Sequence, residues 1–393
     1  MNQANPTSKL RVAIVGSGSI AMTHLIAIHG NDGFELKALI DPSKAHADLL
    51  IDALTKEDPS AARPQYFETL SKALAVERFE VVVIATPSGI HVDLAIEAAE
   101  AGAHVLVEKP VDVSVPQARR LLHVADEVAQ RGQVISVVSQ HRFDPASRVV
   151  KNAVDEGTLG RLTSATASVA WWRTQDYYDS GSWRGTWELD GGGAVMNQGI
   201  HTVDLLLWMF GLPSEISAET ALIAHERVDI EDVAVATFRF ESGALATLHA
   251  TTAAFPGLTV RLQVHGTRGS AVIDNDQLEY FASLAPGDDD PVGGDRVPNR
   301  AAELASGEDL GGQPKLPGWF PRAHARQYDD FLNAIRESRE PGVTVSDALI
   351  SVAAVRSIYL AATLGTRISF SDVLSGKYDH VVSQVGQRPP VNA

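Results

Sequence analysis

Strand-like runs and helical spacing alternate through the first 110 residues. Leu10–Val15 is a short β-branched run ended by Gly16, and Ile20, His24/Leu25 and Ile28 follow at helical spacing. Phe34–Ile40, Val81–Ala85 and Val105–Val107 repeat the strand pattern, with helix-forming sequence between them. Buried strands alternating with helices predict a parallel sheet with helices on both faces. Gln133–Val138 reads as one more strand. The boundary placed there gives a first domain over residues 1–137 and a second over 138–393.

The pattern then changes. A helix is predicted over Pro145–Glu156. It is followed by longer alternating runs over Arg161–Ala170, Glu215–Ile223, Val233–Phe240, Ala244–Thr252 and Thr259–Thr267. In the third run Val235, Thr237 and Arg239 alternate with Ala236, Phe238 and Phe240, a two-residue period. Glu241-Ser242-Gly243 and Gly266-Thr267-Arg268-Gly269 are turn signals between runs, so the second domain is expected to hold an open, largely antiparallel sheet. Pro286–Gly318 is rich in Gly, Pro and Asp and is read as a long exposed loop, with a flap as its candidate role. Helices return over Ala325–Arg336 and Ser346–Leu364. The fold class is α/β.

Composition narrows the function. At 393 residues the chain is long enough for two cores, and 45% hydrophobic with 21% charged residues is ordinary globular usage. A net charge of −16 repels phosphate backbones and anionic lipid, so neither nucleic acid nor a membrane surface is an expected partner. A local arginine cluster can still hold a small anion. The absence of cysteine excludes disulfides, thiolate catalysis and Cys-ligated zinc. No signal peptide pattern opens the chain and no window holds 18 uninterrupted apolar residues, which leads to a cytoplasmic expectation.

The candidate chemistry begins at Gly16-Ser17-Gly18-Ser19-Ile20-Ala21, which fits G-x-G-x-x-(G/A) after a strand and at the start of a helix. Gly16 permits the tight turn and Gly18 lets backbone approach a pyrophosphate. Ser19 and Ile20 open the helix whose N-terminus faces it, and Ala21 lets helix and strand pack closely. Asp41, at the end of the second strand, is placed to accept hydrogen bonds from an adenosine ribose diol, favouring NAD over NADP. Lys44 nearby softens that preference. The alternative for Asp41 is a turn or cap residue before Pro42.

Three motifs in order then carry a resemblance: GSGSIA, ATPSGIHVDLAIEAAEAGAHVLVEKP and GGGAVMNQGIHTVDLLLWMFG. Together they resemble the Gfo/Idh/MocA oxidoreductases, relatives of glucose–fructose oxidoreductase and inositol dehydrogenase. The resemblance implies an N-terminal Rossmann domain that binds NAD and a C-terminal α/β domain whose open sheet lines the active site. It also implies a homodimer or homotetramer. By carry-over, Thr86, Pro87 and His91 border the cofactor, and Glu108 and Lys109 lie beside the nicotinamide ribose and the substrate. Pro110 is expected in a cis turn, and Arg142 of HRFDP matches an arginine near the start of the second domain and is a substrate-binding candidate. His201 is the expected catalytic base, assisted by Lys109. Where inositol dehydrogenase-like members carry an Asp four residues before that histidine, this chain has Asn197. A neutral amide cannot stabilise an imidazolium as a carboxylate does. Positions 197, 201 and 204 are expected on one helical face. The alternative for His201 is a core histidine capped by Asp204. No metal site is expected.

Residues 170–187 contain four of the six tryptophans and two of the seven tyrosines. Trp171 and Trp183 offer faces to a sugar ring, while Arg173 and Arg184 offer paired donors to a carboxylate or sulfonate. The competing reading is a packed edge or subunit interface. His324 is a candidate for the same pocket, with a surface histidine as its alternative.

These residues support three readings. The leading one is an NAD-dependent oxidoreductase acting on a sugar or sugar derivative. The second is a redox-neutral, NAD-dependent glycoside hydrolase that oxidises, eliminates, hydrates and reduces again. The third is a non-catalytic NAD-binding sensor, against which the presence of both Lys109 and His201 argues.

Overall fold

The computed structural model describes residues 8–285, 287, 297–316 and 318–385. The chain divides into two compact units, Met1–Gln140 with Gly318–Leu349, and His141–Pro317 with Ile350–Ala393. The first division falls within three residues of the expected boundary. Residues 318–349 differ from the expectation, because they group with the first unit.

The first unit is a six-stranded parallel sheet of β1 (Leu10–Val15), β2 (Phe34–Ile40), β3 (Gln65–Phe67), β4 (Val81–Ile84), β5 (His104–Val107) and β6 (Ile135–Val137). Its order is β3-β2-β1-β4-β5-β6. Every residue of β4 is buried, as a strand covered on both faces requires. The order reverses between β1 and β4, so their carboxyl ends open the crevice where such sheets bind ligands. The core gathers Val12, Ile14, Leu25, Ile28, Leu39, Val81 and Leu106. Tyr328, Phe331 and Leu332 of the helix Trp319–Glu337 close the same cluster. That packing explains why the segment belongs here: its apolar face is matched to the helix Ser19–His29, hundreds of residues away in sequence. The helix also begins six residues before the expected start.

The second unit holds an eight-stranded sheet: β7 (Leu162–Ala170), β8 (Pro213–Ala221), β9 (Val233–Phe240), β10 (Leu245–Thr251), β11 (Val260–Gly266), β12 (Gly269–Asp274), β13 (Gln277–Ser283) and β14 (Ile368–Ser369). The order is β13-β12-β11-β7-β10-β9-β8-β14, in which β7 and β10 run parallel and the other neighbouring strands antiparallel. In β9 Ala234, Ala236, Phe238 and Phe240 are buried while Val235, Thr237 and Arg239 are exposed, as the alternation predicts. The sequence reading omitted β12, β13 and β14. The β12–β13 turn is Asn275–Asp276, both with positive φ (51° and 64°), a two-residue hairpin that Asn and Asp tolerate.

Of the expected exposed loop, residues 286, 288–296 and 317 lie outside the described residues. Residues 297–316 are tied down: Leu310 bridges Leu278, Gln277 Nε2 donates to the Glu308 and Gln313 carbonyls, and Lys315 Nζ reaches Asp276 at 2.6 Å. Val345–Leu364 is long and apolar enough to cross a membrane, but 72% of its apolar window is buried in the protein, as for a core helix.

Candidate active site

In the first unit, β1 ends at Gly16, whose φ is +95°. A Cβ there would lie 2.4 Å from the Ala85 carbonyl oxygen, so only glycine lets the loop pass the end of β4. A Cβ at Gly18 would meet open space. No side chain caps the helix Ser19–His29 among the described residues, leaving its first N–H groups for an anion. The buried Ser17 Oγ has no hydrogen-bond partner among the described residues. Asp41 is positioned by two backbone donors, Ser17 N–H to Oδ2 and Ser43 N–H to Oδ1, both at 2.8 Å. Lys44 Nζ lies 2.6 Å from Asp48, and His46 Nδ1 lies 3.7 Å from Asp41 Oδ1. An orphaned hydroxyl, an uncapped helix start and a fixed carboxylate fit a dinucleotide.

The turns after β4 and β5 are joined by His91, which is buried. Its Nδ1 lies 2.8 Å from the Pro110 carbonyl and its Nε2 2.9 Å from the Thr86 carbonyl. This ring braces Thr86 and Pro87 rather than presenting a nitrogen to a ligand. The Lys109–Pro110 peptide is cis.

Glu108 is likewise directed inward. Its Oε1 accepts from His24 Nε2 at 2.9 Å and lies 3.6 Å from His324 Nε2, while Oε2 accepts the Lys109 N–H at 3.0 Å. Burial opposes the carboxylate's charge, but the bonds from His24 and His324 hold its pKa well below the usual range. Burial keeps His24 low in spite of Glu108, so its Nε2 carries the proton and Nδ1 accepts from Tyr328 Oη at 2.8 Å. His324 is therefore not a surface histidine: it is 2% exposed and faces Glu108. The Glu108 carboxylate thereby holds the Lys109 backbone.

In the second unit, His201 lies on the helix Ile200–Phe210, which a π-helical turn, Ala194–Gly199, precedes. The single helical face expected for positions 197, 201 and 204 is thus interrupted. Buried Glu231 shapes the turn, accepting N–H from Gly193 and Val195 and the Tyr359 hydroxyl, each at 2.9 Å. A Cβ on Gly193 would lie 1.8 Å from the Glu231 carbonyl oxygen. Asn197 Nδ2 donates to Asp190 Oδ1, which fixes the amide's orientation. Asp190 in turn accepts Gly185 N–H at 2.9 Å. A carboxylate is therefore present one hydrogen bond behind the asparagine.

Arg142 is held by a counter-ion. Its guanidinium forms a buried two-pronged bond to Asp204, Nε to Oδ2 at 2.8 Å and Nη2 to Oδ1 at 2.7 Å. Ser351 Oγ adds a third bond to Asp204 at 3.0 Å. Asp204 is accordingly Arg142's counter-ion.

The aromatic segment forms a ladder of alternating rings and guanidinium groups. Arg184 lies 4.3 Å from the ring centroids of both Trp183 and Tyr177. Arg173 lies 5.0 Å from Trp171 and 5.1 Å from Tyr177. Arg173 Nη2 donates to Gln198 Oε1 at 2.7 Å, and Gln198 Nε2 to Tyr177 Oη at 3.0 Å, joining the ladder to the π-turn before His201. Arg184 forms no ion pair among the described residues. His225, bound to Asp232 at 3.0 Å and to the Arg173 carbonyl at 2.8 Å, anchors the ladder from below.

Residues 10–137 match a model described as an oxidoreductase family with an NAD-binding Rossmann fold, and residues 147–272 match the GFO/IDH/MocA C-terminal domain. The crystal structure of the WlbA dehydrogenase from Bordetella pertussis, in complex with NADH and UDP-GlcNAcA, is 30% identical, with a TM-score of 0.76 over 92% of this chain and 97% of that one. The chain belongs to the Gfo/Idh/MocA oxidoreductase family. Inositol 2-dehydrogenase of Rhizobium meliloti is 25% identical over 89% of this chain and 97% of that protein. Levoglucosan dehydrogenase of Pseudarthrobacter phenanthrenivorans is 25% identical over 88% and 96%. The cofactor of this Gfo/Idh/MocA protein is NAD, bound by its Rossmann domain, and its family comprises NAD-dependent oxidoreductases of sugars and sugar derivatives.

Sequence reasoning missed His141, Asp190, Glu231 and Asp276. Each acts through a partner far along the chain or in a turn without a spacing signature. His141 Nδ1 bonds Asp144 at 2.7 Å, lies 3.3 Å from Asp276 and packs its ring against His201. The donor atoms of His141, Asp144 and Asp276 lie within 4.8 Å of one another, a spacing a cation could use, but Lys315 already supplies the positive charge.

Proposed function

We propose that this protein oxidises a hydroxyl of a sugar or sugar derivative bearing an anionic group, with Lys109 and His201 dividing the proton work. The observation that carries the reading is the arginine ladder joined through Gln198 to the turn before His201. Arg184, stacked between rings rather than paired with an acid, keeps its in-plane donors for a carboxylate or sulfonate. Trp171 and Trp183 offer apolar faces to the ring carbons. NAD held by the glycine loop and Asp41 would supply the acceptor for the hydride on the carbon bearing the hydroxyl. The Lys109 ammonium donates to that hydroxyl oxygen and stabilises alkoxide character, while the His201 imidazole takes the proton. Asn197, its amide oriented by Asp190, is a further substrate-binding residue. The names of the relatives, inositol and levoglucosan dehydrogenases, support a polyhydroxylated substrate.

The experiment is a substrate panel on the purified full-length protein with added NAD: free sugars, sugar acids, and neutral and anionic glycosides. NADH formation with an anionic sugar, lost in Lys109→Ala and His201→Ala, supports the reading. Aglycone release from glycosides without net NADH replaces it with redox-neutral hydrolysis. Tight NAD binding with no turnover of any compound, unchanged in both variants, leaves a sensor.

A further inference from the structure

His141 lies in the 3-10 turn Gln140–Phe143, with its side chain 16% exposed. Four charged groups meet there from three segments of the second unit. Asp144, fully buried before the helix Pro145–Asp155, accepts from His141 Nδ1 at 2.7 Å. Asp276, from the β12–β13 turn, lies 3.3 Å from the same nitrogen and accepts from Lys315 Nζ at 2.6 Å. The His141 ring stands edge-on to that of His201, with centroids 5.0 Å apart and planes at 85°.

We propose that His141 is a positioning residue for His201, an imidazolium that holds the neighbouring ring in its neutral, proton-accepting form. Burial opposes charge on His141, but Asp276 and Asp144 outweigh it and raise its pKa to about 9. It is therefore cationic at neutral pH. Of the four charges, His141 is the one in ring contact with His201, and a second positive charge at that separation is disfavoured. The cluster as a whole is neutral, so removing His141 exposes a negative charge. Asn197 fits this arrangement: a carboxylate there would favour protonated His201, whereas an amide does not.

The inference rests on the reading of His201 as base, and two measurements separate them. Ring titration of His201 by NMR in the full-length protein reads the coupling directly. The pH profile of kcat/KM reads its use. His141→Gln leaves a net negative charge beside His201 and is expected to raise its titration midpoint by about one pH unit, as for charges about 5 Å apart in a dielectric between protein and water. Asp276→Asn removes the leading charge that keeps His141 protonated and is expected to raise the His201 midpoint as well, by less than His141→Gln does. Asn tolerates the positive φ at 276, so this variant also guards against misfolding. His141→Lys restores a cation and is expected to return the midpoint toward its natural value, a rescue that a purely structural His141 would not give. An unchanged midpoint in His141→Gln, or one raised as much in His141→Lys, overturns the proposal. Rescue without movement of the kcat/KM profile upholds the coupling and removes His201 from catalysis.

Discussion

Arg142 and Asp204 form a two-pronged ion pair with both side chains nearly inaccessible, 5% and 6% exposed. Such a pair is costly to break from one side, because the survivor remains charged and buried. Arg142→Met is expected to cost about 3–5 kcal/mol of stability by denaturant unfolding. Asp204→Asn should cost less than that, and the double variant less than the sum of the two. A substrate contact would instead raise KM and leave unfolding unchanged.

Glu231 makes stability depend on pH. Burial raises its pKa from 4.5 to about 7, against the three hydrogen bonds that favour its charge. The folded state therefore prefers the proton. Stability from the neutral form is present below the unfolded value and is lost as pH rises through about 7, a swing of about 3 kcal/mol. Glu231→Gln keeps an acceptor but cannot ionise. Unfolding at pH 5 and pH 8 should show the swing in the natural protein and a smaller one in the variant.

Asp41 is positioned by the N–H groups of Ser17 and Ser43, with His46 Nδ1 3.7 Å from its Oδ1. Asp41→Ala is expected to weaken NAD binding at least about tenfold, the loss of a charged hydrogen bond. Binding of NADP should weaken less, narrowing discrimination. Calorimetry with both nucleotides reads this.

Arg184→Met keeps much of the stacking bulk between Tyr177 and Trp183 but removes the charge. For an anionic substrate KM should rise about ten- to a hundredfold, the value of a charge-assisted pair. For the neutral analogue it should change little. Equal changes for both would favour a packing role for the ladder.

Legibility followed the range of the interaction. Gly16, Gly18 and Asp41 could be read because strand, turn and helix follow one another within thirty residues. The β9 alternation could be read because its period is local. Arg142 could not be, since its partner lies 62 residues away and a motif match does not reveal a counter-ion. His324 was misread for the same reason: its partner is Glu108. The β12–β13 hairpin was missed because its turn residues, Asn275 and Asp276, lie inside a polar stretch that resembles loop.

The sequence by itself determined the parallel sheet, the dinucleotide loop, the second domain's open sheet and the family. All of these follow from local periodicity, backbone sterics at glycine, and motifs in fixed order. Tertiary structure alone decided the neighbours of each polar group: His24 and His324 on Glu108, Asp190 behind Asn197, Glu231 under the π-turn, and His141 against His201. Side-chain charge and hydrogen bonding act over a few ångströms in space and are indifferent to separation along the chain.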